Sequence, residues 1–146
     1  MHTLSTDAVA LTPGATASTR FSLGDLAPGE RGTETFTVCF HGDSDAAVAL
    51  YASGDADDGQ LARRLHIGIF ERSHGLLPFP VFSGTLADLA GHDRFERGVG
   101  RWTGRGDGDD HEVTYEVSWH LPKEATGLDG RRAEVELRLE AHALAA

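Results

Sequence analysis

Hydrophobic and polar residues alternate along much of the chain with a period of two. Phe36, Val38 and Phe40 interleave with Thr35, Thr37 and Cys39. A short apolar stretch, Ala46 to Ala52, carries Val48 and Leu50, and a third run holds Leu65, Ile67 and Ile69. The clearest alternation runs from His111 to Leu121. There Val113, Tyr115, Val117, Trp119 and Leu121 fall on one side, and Glu112, Thr114, Glu116, Ser118 and His120 on the other. From Arg132 to His142, Ala133, Val135, Leu137, Leu139 and Ala141 alternate with Glu134, Glu136, Arg138 and Glu140. Successive strand residues point to opposite faces, so this spacing predicts half-buried strands with one face on a core. A helix would turn Val135 and Leu137 to different faces.

Turn signals punctuate these runs: Thr12-Pro13-Gly14, Ala27-Pro28-Gly29, His41-Gly42-Asp43, Ser53-Gly54-Asp55, Gly106-Asp107-Gly108 and Leu128-Asp129-Gly130. Pro-Gly and Asp-Gly pairs supply the fixed and the positive φ that tight turns need. Short strands separated in this way predict an all-β sandwich or barrel. One segment departs from the rhythm. Leu86, Leu89 and Ala90 have helical spacing, with Thr85 or Ser83 as N-cap, and predict a short helix ending near Gly91.

Composition narrows the function. A chain of 146 residues is expected to form one domain over 1–146 with a core of its own. Thirteen Lys and Arg against 23 Asp and Glu give a net charge of −10. That balance disfavours nucleic-acid backbones and anionic membrane surfaces. No apolar run reaches the roughly 20 residues of a membrane-spanning helix. Cys39 stands alone, so no internal disulfide is expected. Met1 to Leu11 lacks the basic start and apolar stretch of a secretory signal, which fits either a cytosolic protein or a processed one.

Four segments, in order, resemble the camelysin/TasA family of secreted biofilm-matrix and cell-surface proteins. They are Leu23-Gly24-Asp25-Leu26-Ala27-Pro28-Gly29-Glu30 leading into Thr35 to Phe40; Leu65-His66-Ile67-Gly68-Ile69; Ser83-Gly84-Thr85-Leu86-Ala87-Asp88-Leu89; and Tyr115 to Pro122, followed by Gly130 and Ala133 to His142. The resemblance implies an antiparallel two-sheet sandwich of jelly-roll type with a helical insert near residues 85–91. It implies secretion, with the signal removed, to the matrix or cell surface. The family's aromatic, Gln-rich ending is absent and the central insert is short.

Candidate chemistry is sparse. Eight histidines invite a zinc reading. A zincin, however, needs His-Glu-x-x-His, and His111-Glu112 is followed by Tyr115 where the second ligand is required. Asp107, Asp109, Asp110 and Glu112 cluster in a Gly-rich loop, and Asp55, Asp57 and Asp58 in a second. Both read as solvated acidic loops, with calcium as the alternative. Arg105-Gly106-Asp107 spells the integrin tripeptide, a match common by chance in a turn. Trp119 reads as core, and Trp102 as either core or a sugar-stacking platform. Cys39 reads as an inert strand thiol.

These readings lead to a non-enzymatic protein without metal or cofactor. The resemblance implies a fibre subunit self-associating head to tail by donor-strand exchange, with other matrix or cell-wall components as further partners. The donor lies within residues 1–12, Thr3 to Leu11, with Leu4, Val9 and Leu11 seating in the next subunit. The rivals are a secreted camelysin-like metallopeptidase and a monomeric surface-binding sandwich module.

Overall fold

The computed structural model describes residues 9–56, 59–72, 79–125, 127 and 130–144. In chain order the strands are β1 (Val9–Leu11), β2 (Thr16–Leu26), β3 (Arg31–Phe40), β4 (Ala46–Ala56), β5 (His66–Glu71), β6 (Phe79–Thr85), β7 (Val99–Gly104), β8 (His111–His120) and β9 (Arg131–Ala143). Helix α1 (Gly59–Arg64) precedes β5. Helix α2 (Leu86–Ala90) and a 3-10 turn at Phe95–Arg97 lie between β6 and β7.

One sheet has the order β1-β3-β8-β5-β6 and the other β2-β9-β4-β7. With β1 set aside, β2 to β9 have the strand order of a jelly roll. All pairings are antiparallel except β1 with β3, which is parallel. The all-β sandwich expected from the periodicity is present.

The inward faces are those the alternation assigns. Val113, Tyr115, Val117, Trp119 and Leu121 are all buried, as are Ala133, Val135, Leu137, Leu139 and Ala141. Glu116 and Ser118 point outward yet are half-buried rather than exposed. Arg72 forms an ion pair with Glu116, and Ser118 donates to the Gly68 carbonyl at 3.5 Å. In β4, Ala46 and Val48 to Ala52 are buried whichever face they point to. The segment before β7 lies against this strand: the Ala52 N–H donates to the His92 carbonyl at 2.8 Å, and Gly98 abuts Ala49 and Leu50. Burial on both faces explains why this strand reads as an apolar run and not as an alternation.

Helix α2 forms where the spacing places it. Thr85 caps it in a reciprocal box: the Asp88 N–H donates to Thr85 Oγ1 and the Thr85 N–H to Asp88 Oδ2, each at 3.1 Å. Leu86 and Leu89 are buried. The alternation does not mark α1, which buries Leu61. Its continuation places Leu65 in a helical hydrogen bond to Leu61, so β5 starts only at His66.

Candidate functional site

Strands β3 and β8 pair over their whole length, from Phe40↔His111 at one end to Arg31↔His120 at the other. Nine residue steps separate these ends by about 30 Å. The first end carries two connections, residues 41–45 between β3 and β4 and residues 105–110 between β7 and β8.

These two loops are bound to each other. The Gly106 N–H donates to Asp45 Oδ1 at 2.8 Å, and the Gly108 N–H to the Gly42 carbonyl at 3.1 Å. His41 Nδ1 lies 2.9 Å from Asp110 Oδ1. Asp107 Oδ1 accepts from His111 Nε2 at 2.8 Å and from the Asp109 N–H at 3.0 Å. Side-chain freedom at Gly106 is excluded, because a β-carbon there would fall 2.0 Å from the Ser44 carbonyl carbon. The result is a hydrogen-bonded platform exposing Asp43, Asp45, Asp107, Asp109, Asp110 and Glu112. The hydrogen bond from His111, then that from Asp109, hold the Asp107 carboxyl below its ordinary value. Cys39, half-buried on β3 nearby, has its thiol pushed up by burial and then by Asp110 and Glu112, as fits an unreactive thiol.

The sequence candidates fall in different places. Arg105-Gly106-Asp107 lies within the platform, with Gly106 pinned against Ser44. Trp102 is no open stacking surface. It is half-buried, its indole N–H donates to the Tyr115 hydroxyl at 2.8 Å, and its ring meets Phe40 edge-on at 6.2 Å. Burial pushes the Tyr115 hydroxyl far up. His111 and Glu112 sit on β8 with Tyr115 fully buried in the core. Among the described residues no group of three or more His, Cys, Asp or Glu is placed to hold a metal ion. Asp57, Asp58 and Leu4 lie outside the described residues. Val9 and Leu11 pair with Val38 and Phe40 of their own chain, and Leu11 is 1% exposed in its own core.

The coming together of loops 41–45 and 105–110 is the feature that motif reading misses. Asp43 and Asp45 are 62 positions or more from Asp107 in the chain, and only the β3–β8 and β4–β7 pairings bring them together. The turn signals at His41-Gly42-Asp43 and Gly106-Asp107-Gly108 mark the loops singly.

No family model matches the chain. No curated protein matches it either. Solved structures do. PliG of Aeromonas hydrophila, a periplasmic inhibitor of g-type lysozyme, matches at 11% identity and a TM-score of 0.38, over 93% of this chain and 100% of its own. PliG of Salmonella Typhimurium, likewise a periplasmic inhibitor of g-type lysozyme, matches at 8% identity and a TM-score of 0.35, over 90% and 96%. A mutant of the Escherichia coli PliG matches at 8% and 0.34, over 87% and 89%. Similarity at this level is to those proteins alone and extends no activity to this chain.

The expected biofilm-matrix fibre subunit, with its head-to-tail filaments, is corrected, as is the camelysin-like peptidase. The three solved structures named above are inhibitors, neither matrix fibres nor peptidases. Within the chain, β1 completes its own sheet beside β3. The peptidase lacks its second histidine, with Tyr115 in that place. No helix among the described residues is long and apolar enough to cross a membrane.

Proposed function

We propose that this chain is a non-catalytic binding domain of the extracytoplasmic space, which docks a basic protein partner through its acidic loop end. One observation carries the reading. Loops 41–45 and 105–110, which carry the acidic side chains, are joined in one platform by hydrogen bonds between them. Loops at the end of a rigid sandwich are a common place for recognition. A prearranged array of one charge sign steers an oppositely charged partner and loses less freedom on docking. The net charge of −10 supports the same sign of partner. Descent from the camelysin/TasA family is retained as a proposal about ancestry alone, resting on the four ordered segments.

The test is interferometry against a basic g-type lysozyme and an unrelated basic protein, each at low and high salt. Expected is binding that weakens with salt and falls at least about tenfold in Asp43→Asn combined with Asp109→Asn. Neither side chain holds the two loops together, so the fold should persist. Absence of binding to both probes, or binding untouched by salt and by the double variant, overturns the reading.

A further inference from the structure

The opposite end of the β3–β8 pair has a different chemistry. Three strands present a small grid of aligned residues. Arg31, His120 and His66 form one row across β3, β8 and β5, and Thr33, Ser118 and Gly68 form the next. Aligned side chains on neighbouring strands stand about 5 Å apart. The two imidazole rings lie 6.4 Å apart, centroid to centroid. Gly68 leaves its corner of the grid without a side chain, bordered by the Phe70 ring. Gly32, between Arg31 and Thr33, is covered from the core side by Trp119, whose Cζ2 lies 2.1 Å from where a β-carbon would stand. A concavity of about 350 Å³ results, lined by Arg31, Gly32, Thr33, Ser118, Trp119 and His120. That is the lower end of the range for small-molecule sites.

Its donors are available. The Arg31 side chain has no hydrogen bond or ion pair among the described residues, and each histidine of the row has only the other as a ring neighbour there. Two nearby carboxylates are engaged elsewhere: Glu30 accepts from the Ala27 N–H at 3.2 Å, and Glu116 holds Arg72. Exposed Lys123 packs over Gly29, just before Arg31, and exposed Arg64 sits two residues before His66. In a chain of net charge −10, a guanidinium without a side-chain partner among the described residues stands here beside the Thr33 hydroxyl.

The geometry points to a binding site for an oxyanion, with the Arg31 fork and the His120 and His66 rings as charged or polar donors and Thr33 as the hydroxyl donor, while Ser118 stays bonded to the Gly68 carbonyl. The ligand is a phosphoryl or carboxylate group on a small molecule or on the end of a sugar. Arginine suits either group because its paired N–H donors match two oxygens at once. A divalent cation fits less well, since Arg31 stands in the same row as the imidazoles.

The experiment is titration of the full chain with sodium phosphate and with sodium galacturonate, followed by proton–nitrogen NMR, with sodium chloride at matched ionic strength as control. Both oxyanions are expected to shift the amides of residues 31–33, 66–68 and 118–120, with saturation and with no shift at the acidic loops. Tighter binding of phosphate makes a phosphoryl group the ligand, and tighter binding of galacturonate makes it a uronate. Arg31→Gln should weaken the preferred anion about tenfold or more, and His120→Gln should weaken it less. Both replaced side chains reach solvent, and an unchanged spectrum elsewhere establishes that the variants fold. Equal shifts with chloride, or saturation unaffected by Arg31→Gln, overturn the site.

Discussion

The two ends of one strand pair hold histidines in opposite circumstances. At the loop end, His41 and His111 are each engaged by an aspartate, Asp110 and Asp107. At the far end, His120 and His66 face each other beside Arg31, whose side chain has no partner among the described residues. Residue type is the same and role is not. Where acids outnumber bases, imidazole serves as internal glue and the surplus carboxylates face solvent. Where the acids are turned away, imidazole and guanidinium are the groups left facing solvent. A molecule of strongly negative net charge therefore carries a local cationic site about 30 Å from its acidic platform. Net charge alone excludes less than it suggests.

The largest expected effect breaks the far end at its floor. Trp119→Ala removes a side chain 5% exposed and should cost roughly 3–5 kcal/mol in chemical denaturation. A cost below about 1 kcal/mol would mean that the indole is not the packed floor of the concavity. Next, Gly106→Ala forces the two acidic loops apart by setting a methyl group against the Ser44 backbone. About 1–3 kcal/mol of destabilisation is expected, with weakened docking of basic proteins and unchanged phosphate titration. Loss of both binding activities together would show that the ends are not independent. A smaller effect belongs to the core between them. Trp102→Phe deletes the donor to the buried Tyr115 hydroxyl and should cost about 1–2 kcal/mol, equally in the presence and absence of phosphate.

Acid sharpens the comparison from the loop side. The folded-state value of Asp107 lies below its ordinary 3.8, so its stabilising contribution is complete above that value and is lost as pH falls through the lower, folded one. Asp107→Asn should lower the melting temperature modestly at neutral pH, where the carboxylate's contribution is complete, and flatten its fall below about pH 4. An unaltered acid profile would remove the His111 and Asp109 hydrogen bonds from the account of this loop. The smallest effect is expected at Arg72→Ala. It breaks a surface ion pair to Glu116 and should change stability by less than about 1 kcal/mol.

The core was legible in the sequence wherever one face of a strand meets water. β8 and β9 announce themselves because Glu, Thr and Arg mark every second position. The helix at α2 was legible through Thr85 and its leucines. β2 was not, because Thr19 stands between Ala17 and Phe21 and dilutes the inward pattern. β6 contains Pro80, which argues against a strand unless a neighbour tolerates the missing donor. Here the register shifts between Ile69 and Phe70, next to the Phe70↔Pro80 pair. β7 hides behind Gly100 and Gly104. The acidic residues of the platform were visible one loop at a time, and their union required the fold. The cationic grid had no sequence signature at all, since His66, His120 and Arg31 become neighbours only through two strand pairings.

Among the described residues β2 has β9 as its one partner within its sheet, in a register that sets Thr16 opposite Glu140. A growing chain thus completes its first long strand more than a hundred residues before anything exists to receive it. Until the last segment emerges, that edge stays open to stray pairing. Synthesis of this protein is accordingly an all-or-nothing affair: a chain truncated before Arg131 should be insoluble or degraded, even though every residue of both solvent-facing ends has already been made.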